Sequence, residues 1–297
     1  TRLDVERRRI DCGEVTLDCA LAGDPARPLV VLLHGFPESW YSWRHQIPVL
    51  AEHFRVAVPS LRGYGASDRP TRVSDYRIQH LTADVRGLIR ALGRDRAFVV
   101  GHDWGGGIAW SFAMDYPDAC AKLAVCNCPH PVVMANALRR SPRQLLRSWY
   151  MFFFQIPRLP EWVLGRRDLE ALGRGFRQMV RRRDREVFSD RDIDRIKESL
   201  RPPGALRPAI NYYRATFRDP GAVKHYAGRR IACPTLLIWA EEDDALGKEL
   251  TLGMEPLFSG PFAIKYIPGC SHWVQQDEPE LVTDLMIDFL DPSHPAN

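Results

Sequence analysis

The sequence predicts an α/β fold, in which a mostly parallel central sheet is flanked by helices and carries an inserted helical cap. Short, continuous apolar runs recur along the chain, and such runs are typical of parallel strands buried on both faces. Segments with helical spacing of apolar residues separate the runs, which indicates a sheet with a helical layer on each side. This alternation is interrupted once, in the middle of the chain, and the interruption predicts the insertion.

The predicted strands are spaced widely enough for connecting helices. Residues 15–21 alternate in polarity and follow a turn at residues 11–13. The continuous apolar strands are predicted at residues 29–33, 55–58, 97–100, 123–126, 235–239 and 262–267. Between them, Leu81, Val85 and Leu88 mark the apolar face of a helix that Gly93 would terminate.

Between about residues 131 and 222 the chain is rich in Arg, Trp, Phe, Tyr and Leu at helical spacing, without a convincing buried strand. An all-helical insertion between two halves of one sheet is the simplest arrangement. We therefore expect a first core segment at residues 1–130, a helical cap at residues 131–222 and a second core segment at residues 223–297.

Composition narrows the classes of function. The net charge of +4 is small for 297 residues, and no nucleic-acid-binding module is visible, so no nucleic-acid partner is expected. The seven cysteines lack zinc-like spacing, which favours buried free thiols in a reducing compartment. No apolar window approaches the ~20 residues of a membrane span, and no apolar signal core begins the chain. A cytoplasmic protein is expected, and a homodimer remains open.

The strongest motif is Gly101-His102-Asp103-Trp104-Gly105, between a predicted buried strand and an apolar helix. It fits the pattern G-x-nucleophile-x-G of a sharp strand-to-helix turn, with aspartate in the central position. The glycines have a physical reason, because side chains there would collide with neighbouring backbone. Two other interpretations stay open: Asp103 could cap the following helix, or the turn could bind phosphate, although the required Lys-Ser/Thr pair is missing.

A second motif, HGFPE at residues 34–38, follows the first continuous apolar strand. A loop there can present the backbone N–H of Phe36 beside that of Trp104. Two such donors can form an oxyanion hole. An ordinary Gly-Pro turn that closes a strand is the alternative.

Two late segments complete a candidate triad. Asp243 and Asp244 follow the predicted strand at residues 235–239, and His272 follows the one at residues 262–267. The carboxyl ends of parallel strands are where open α/β sheets build their sites. The chain order of nucleophile, acid and histidine is that of the α/β-hydrolase fold. Asp243 is the favoured acid and Asp244 the alternative.

Together these motifs resemble the epoxide hydrolase branch of the α/β-hydrolases. The segments HGFPESW, RGYGASDRP, GHDWGGG, EEDD and GCSHW carry the resemblance, which covers residues 15–290. The resemblance implies a cap with two tyrosines that hydrogen-bond the epoxide oxygen. SWYMFFFQ matches the first at Tyr150, and INYYR matches the second at Tyr213, with Tyr212 as its alternative. Without the resemblance, these side chains would be interpreted as core aromatics.

The expected reaction is hydrolysis of an epoxide to a vicinal diol through a covalent ester on Asp103. Tyr150 and Tyr213 would protonate the ring oxygen, and His272, oriented by Asp243, would activate the water that hydrolyses the ester. The expected partners are a small lipophilic epoxide and water, without a metal or an organic cofactor. The expected substrate-binding side chains are the aromatic ones of Phe36, Trp104, Phe153 and Trp273.

Three other functions remain open. A haloalkane or haloacid dehalogenase of the same fold also uses an aspartate nucleophile, and Trp104 could donate to halide. However, Phe36 stands where haloalkane dehalogenases commonly have a second halide donor. Fluoroacetate dehalogenases place arginines right after the aspartate, where this chain has Trp104 and Gly107. A serine esterase would need a G-x-S-x-G motif beside the triad partners. A catalytically dead relative acting as a scaffold would not be expected to keep all five proposed side chains.

Overall fold

One sheet of eight strands runs through the part of the chain that the computed structural model describes, residues 4–181, 186–219 and 221–291. The strands are β1 (Glu6–Asp11), β2 (Thr16–Ala22), β3 (Leu29–Leu33), β4 (Arg55–Pro59), β5 (Ala97–His102), β6 (Cys120–Cys126), β7 (Thr235–Ala240) and β8 (Phe262–Ile267). Their order across the sheet is β1-β2-β4-β3-β5-β6-β7-β8. Strands β3 to β8 are parallel to one another, whereas β2 runs antiparallel to both of its neighbours, β1 and β4. The predicted α/β class is confirmed.

The apolar strand runs arise because each parallel strand serves two cores. In β3, Leu29, Val31 and Leu33 belong to the core beneath two helices that follow β4 and β5, whereas Val30 and Leu32 belong to the core on the opposite face. Since successive side chains point to opposite faces of a sheet, a strand covered on both sides is apolar at every position.

The edge strand β1 was not among the sequence predictions. Its sequence is ERRRID, and only Ile10 is buried. An edge strand that lies against solvent carries no apolar periodicity, and charged side chains there discourage pairing with another chain. Backbone pairing with β2, from Glu6 opposite Leu21 to Asp11 opposite Thr16, forms the strand.

Helices lie on both faces of the sheet and in the insertion between β6 and β7. They are α1 (Gln46–Leu50), α2 (Ile78–Ala91), α3 (Trp104–Asp115), α4 (Pro131–Arg140), α5 (Pro142–Arg147), α6 (Trp149–Phe153), α7 (Leu159–Gly165), α8 (Glu170–Met179), α9 (Asp190–Glu198), α10 (Leu206–Arg218), α11 (Ala222–Tyr226), α12 (Val274–Asp277) and α13 (Pro279–Leu290). Short 3-10 helices span Trp40–Trp43, Val73–Tyr76, Lys248–Thr251 and Glu255–Leu257. Helices α2 and α3 contribute to one core, and α1 and α13 to the other.

In the described part of the chain between β6 and β7, helices α4 to α11 follow one another, joined by turns, and the only β contact is an isolated bridge from Ile231 to Phe258. Helix α10 joins this insertion to the sheet side of the molecule. Its Tyr212 hydroxyl donates to the backbone oxygen of Arg62 over 2.8 Å, and the Tyr212 ring lies 5.4 Å from that of Tyr76. This contact places the next residue, Tyr213, above the carboxyl ends of the central strands.

Two further observations concern the cysteines and the helix lengths. All seven cysteines are free thiols; six are buried and Cys233 is partly buried. Within the described ranges, none of the helices has the length and apolar character needed to cross a lipid bilayer.

The start of α3 approaches the sheet closely at Gly105. A Cβ atom there would lie 2.1 Å from the backbone oxygen of Leu33, whereas a Cβ at Gly107, one half-turn further, would meet only the Cys128 sulfur at 4.0 Å. Backbone atoms cannot move aside as the end of a flexible side chain can. Of these two positions, only residue 105 therefore requires glycine for packing.

Gly105→Ala should therefore lower the free energy of unfolding by about 1–3 kcal/mol or more, the usual range for overpacking. Gly107→Ala, the matched control in the same helix, should leave the free energy of unfolding unchanged or raise it by up to about 1 kcal/mol, because alanine favours helix. Urea denaturation measures both. Equal stability of the two variants would contradict this packing argument.

Candidate active site

Asp103 occupies the turn between β5 and α3 in a strained conformation, with φ 51° and ψ −121°. Its side chain makes no capping hydrogen bond to α3, which removes the principal alternative interpretation of this residue. Instead, Oδ1 accepts a hydrogen bond of 2.7 Å from the backbone N–H of Phe36. The neighbouring Gly35 leaves the room for this, since a Cβ there would lie 2.4 Å from the Cβ of Asp103.

His272 lies between two carboxylates. Its Nδ1 is 2.7 Å from Oδ2 of Asp243, and its Nε2 is 3.4 Å from Oδ2 of Asp103. All three residues follow parallel strands, β5, β7 and β8, so the carboxyl edge of the sheet brings them together. The adjacent Asp244 is exposed and forms an ion pair with Arg181 instead. Asp243 is therefore the aspartate that contacts the histidine.

Asp243 is fixed by several donors in addition to His272. Its Oδ1 accepts from the backbone N–H groups of Ala245 at 2.8 Å and Leu246 at 2.9 Å, and its Oδ2 accepts from Nδ2 of Asn127 at 2.9 Å. A buried carboxylate requires such partners because it has lost its contact with water. These bonds leave Asp243 in one orientation, with an oxygen aimed at the imidazole.

The charges of the three residues shift one another's pKa. Burial lowers the pKa of His272, but the carboxylates of Asp243 and Asp103 outweigh burial and raise it well above its ordinary value. Burial raises the pKa of each carboxyl, but the His272 imidazolium outweighs it, so the pKa of Asp103 and that of Asp243 lie below the usual value. The site therefore holds a cation between two anions, and Asp103 is ionised at neutral pH.

A cavity of about 340 Å³ opens above Asp103. Tyr150, Tyr213 and Trp104 line it together with Asp103. The two tyrosine rings lie 5.9 Å apart, and the Trp104 ring meets that of Tyr213 edge-on at 5.0 Å. Burial raises the pKa of both tyrosines, and the negative charge of Asp103 raises it further. Both phenols therefore keep their protons at neutral pH.

Three predicted substrate-binding side chains are not among the residues that line this cavity. Phe36 packs edge-on against Tyr213 at 5.5 Å and against Phe154 at 5.4 Å. Phe153 packs against Trp149 at 6.0 Å. Trp273 belongs to a separate apolar cluster in the described residues, where its ring lies 4.8 Å from Phe176. An aromatic residue next to a catalytic motif in sequence can point away from the site, because neighbouring side chains in a loop diverge.

The sequence analysis gave no role to three buried polar residues beside the triad, Asn127, His102 and Glu38. Asn127 directly follows β6 and connects Asp243 to the end of β7. Its Nδ2 donates to Asp243, and its Oδ1 accepts a hydrogen bond of 2.9 Å from the backbone N–H of Ala240. His102 Nε2 lies 2.8 Å from the backbone oxygen of His272, and Nδ1 lies 3.3 Å from a Glu38 carboxylate oxygen. A polar residue directly after a central apolar strand is a signal that would have identified Asn127.

Residues 28–279 match the α/β hydrolase fold family. Two curated relatives narrow the assignment within this family. The chain is 40% identical to epoxide hydrolase 1 of Caenorhabditis elegans over 288 residues, which is 96% of this chain and 70% of the relative. It is 39% identical to mouse epoxide hydrolase 4 over 272 residues, which is 91% of this chain and 74% of the relative.

The chain belongs to the epoxide hydrolase branch of the α/β-hydrolase fold family. The resemblance stated from the sequence motifs is thereby confirmed. A solved epoxide hydrolase of this family, epoxide hydrolase A from Mycobacterium thermoresistibile, superposes with a TM-score of 0.85 at 29% identity, covering 97% of this chain and 98% of that chain.

Asp103→Asn should lower the pKa of His272 in this family member, because it removes one of the two carboxylates that stabilise the imidazolium while burial still opposes the charge. In the unmodified protein, His272 should stay protonated as the pH rises through ~6.5, the ordinary histidine pKa. Nuclear magnetic resonance of the imidazole signals across pH measures both. Asp244→Asn, which alters the adjacent exposed aspartate, should leave the pKa of His272 unchanged. A wild-type His272 that titrates at or below the ordinary value would contradict the ion triad.

Proposed function

We propose that this protein hydrolyses lipophilic epoxides to vicinal diols through a covalent ester on Asp103. In the proposal, Tyr150 and Tyr213 protonate the ring oxygen, and His272, oriented by Asp243, activates the hydrolytic water. The observation that carries the proposal is that two protonated phenols and an ionised carboxylate line one cavity. The names of the relatives, epoxide hydrolases of nematode and mouse, agree with this substrate class.

The first step joins Asp103 to the substrate. Because its pKa is lowered, the carboxylate attacks a ring carbon without needing a base. The Asp103 oxygen–carbon bond forms while the carbon–oxygen bond of the strained ring breaks. The ring oxygen takes a proton from a phenol, because an unprotonated alkoxide is a poor leaving group.

Charge movement favours the acid role of the tyrosines during this step. Before the attack, the Asp103 charge raises the pKa of Tyr150 and Tyr213. As the ester forms, that charge leaves the carboxylate and develops on the ring oxygen. The phenols then lose the interaction that disfavours their ionisation, at the moment when their protons are needed.

The second step releases the diol. Esterification also removes one of the two charges that raise the pKa of His272, so the imidazolium can give its proton, through solvent, to the phenolate and become a base. Neutral His272 then takes a proton from water, and the hydroxide attacks the ester carbonyl. Collapse of the intermediate breaks the ester bond, and the departing alkoxide receives the proton from His272. The Asp103 carboxyl returns its proton to the imidazole.

The intermediate in this step carries an oxyanion. The Phe36 N–H already contacts an Asp103 oxygen at 2.7 Å, and we assign the Trp104 N–H, at the first position of α3, as the second donor. One such donor contributes on the order of 10² to 10³ in rate. Asp103 in the free protein therefore lies where its own ester would be stabilised.

The proposed substrate class follows from the cavity wall. The helical insertion, α2 and the loop after β7 contribute apolar side chains to its described lining, which include Ile78, Met134, Leu138, Met151, Val223 and Leu246. We propose that residues 131–222 act as the cap over the site, as the sequence predicts. An apolar wall with a few polar groups at one end favours a lipophilic molecule whose reactive ring points toward Asp103.

His272→Gln should open styrene oxide but fail to release the diol, because the first step does not require a base. Intact-protein mass spectrometry should then find the protein heavier by the mass of one epoxide, and peptide mapping should place the adduct on Asp103. The unmodified protein should release 1-phenylethane-1,2-diol without accumulating the adduct, and Asp103→Asn should lower its turnover by ~10⁴ or more.

Analysis of the released product distinguishes the dehalogenase alternative, in which Trp104 in the cavity wall would donate a hydrogen bond to halide. Release of halide from a haloalkane, with no diol from any epoxide, would replace the proposed reaction. A variant at His272 that turns over without any adduct would reject the two-step scheme while leaving epoxide hydrolysis intact.

Tyr150→Phe combined with Tyr213→Phe should lower the rate of epoxide opening by ~10² to 10⁴, because no acid remains for the ring oxygen. Single-turnover formation of the Asp103 adduct in the His272→Gln background measures this step directly. Tyr212→Phe removes a phenol that does not line the cavity and only loosens the anchoring of α10 to the Arg62 backbone oxygen, so it should slow opening much less than the double variant. If Tyr212→Phe slows opening as much as the double variant, the assignment of Tyr213 is wrong.

A further inference from the structure

A group of exposed apolar side chains lies on the helical insertion. Among the described residues, eight of the twelve most exposed large apolar side chains belong to it. We call this group the apolar patch; its members are Leu145, Leu146, Trp149, Phe152, Ile156, Leu159, Trp162 and Phe217. Leu146, Trp149 and Trp162 are 74%, 63% and 60% exposed. Single exposed apolar residues are common on proteins, whereas a concentration with two tryptophans indicates an interaction surface.

The patch follows the short helices α5, α6 and α7. Its members recur every three or four residues along these helices, so successive turns contribute side chains to it. The ring of Phe152 lies 5.2 Å from that of Phe217 on α10, which connects two separate parts of the insertion. Phe152 and Phe217 are therefore neighbours, and the other members follow one another along α5, α6, α7 and the turn between the last two.

The same segment is strongly basic. Residues 131–167 contain seven arginines and a single acidic residue, Glu161, which is itself paired with the buried side chain of Arg214. The arginines are Arg139, Arg140, Arg143, Arg147, Arg158, Arg166 and Arg167. With the described carboxylates, only Arg167 of these forms an ion pair, at 3.6 Å from Glu170. The Arg166 guanidinium lies over the Trp162 ring at 4.6 Å.

We propose that the apolar patch docks this protein on the surface of an anionic phospholipid bilayer. Trp149, Phe152 and Trp162 would enter the boundary between headgroups and acyl chains, where aromatic side chains are favoured. The surrounding arginines would bind lipid phosphates, an attraction of about 1 kcal/mol for each basic side chain near an anionic surface. Exposed aromatic residues among unpaired cations fit this partner in both apolar area and charge.

A second copy of the chain fits the surface less well. A two-fold symmetric dimer would place the same patch against itself, and the arginines of one copy would then face those of the other. Like charges in close contact disfavour association. The sign of the charge thus selects an anionic partner.

The active-site cavity reaches the patch. Arg139 and Phe217, both exposed, line the cavity that also contains Asp103. A lipophilic molecule dissolved in the bilayer could therefore enter the cavity at the docked surface without crossing water. Only this route rests on the proposed function; docking itself does not, and it is tested without any turnover.

Sedimentation with vesicles tests the docking. The full chain should sediment with vesicles that contain phosphatidylglycerol and remain in solution with phosphatidylcholine alone. Trp149→Ser with Trp162→Ser, and separately Arg143→Glu with Arg147→Glu, should each weaken binding at least ~10-fold. Leu252→Ser and Arg90→Glu are the matched controls, exposed residues outside the insertion, and should bind like the unmodified protein. Circular dichroism checks that each variant is folded.

Quenching of the unmodified protein's tryptophan fluorescence by brominated phosphatidylglycerol gives a second measurement that needs no variant, and it should occur. Absence of sedimentation and of quenching with anionic vesicles would overturn the proposal. Equal binding by the patch variants and the controls would also overturn it. A dimer in lipid-free buffer that Trp149→Ser with Trp162→Ser dissociates, seen by ultracentrifugation without vesicle binding, would assign the patch to a second copy instead.

Discussion

The imidazole of His272, held between the buried carboxylate of Asp243 and the partly buried carboxylate of Asp103, is the interaction around which the rest of the site is arranged. Three charges taken out of water are stable only when each has close partners. Asp243 obtains them from Asn127, two backbone N–H groups and the histidine, and Asp103 from the Phe36 N–H and the histidine. The same arrangement couples the pKa values, so that a change of charge on Asp103 alters the basicity of His272.

The sheet supplies this arrangement by simple geometry. Parallel strands end at one edge, and the loops after β3, β5, β7 and β8 therefore meet there. Two glycines allow the parts of the site to lie close together. The backbone of α3 passes near the end of β3 at Gly105, and Gly35 leaves space for the Asp103 side chain. The positive φ of Asp103 is strain that the surrounding packing maintains, which is common where a side chain must be presented from a sharp turn.

The helical insertion adds what the sheet cannot provide. Parallel strand ends offer carboxylates and an imidazole, whereas Tyr150 and Tyr213 come from α6 and α10, above the carboxyl edge. The anchoring of α10 through Tyr212 to the Arg62 backbone holds one of these phenols in position. The insertion also combines an apolar inner wall with an exposed apolar and basic outer side, so a single segment can define both the cavity and a docking surface.

The sequence by itself determined the fold class, the parallel strands and the family, because buried strands and the glycine-bounded turn at Asp103 leave local patterns in the order of residues. The edge strand β1 left no such pattern, since backbone pairing rather than burial forms it. The sequence favoured Asp243 with Asp244 as the alternative, and only the tertiary structure decided between them and directed Trp273 away from the cavity. Adjacent residues share a sequence context but point in different directions, and contacts between distant segments, such as that of Asn127 with Asp243, exist only after folding.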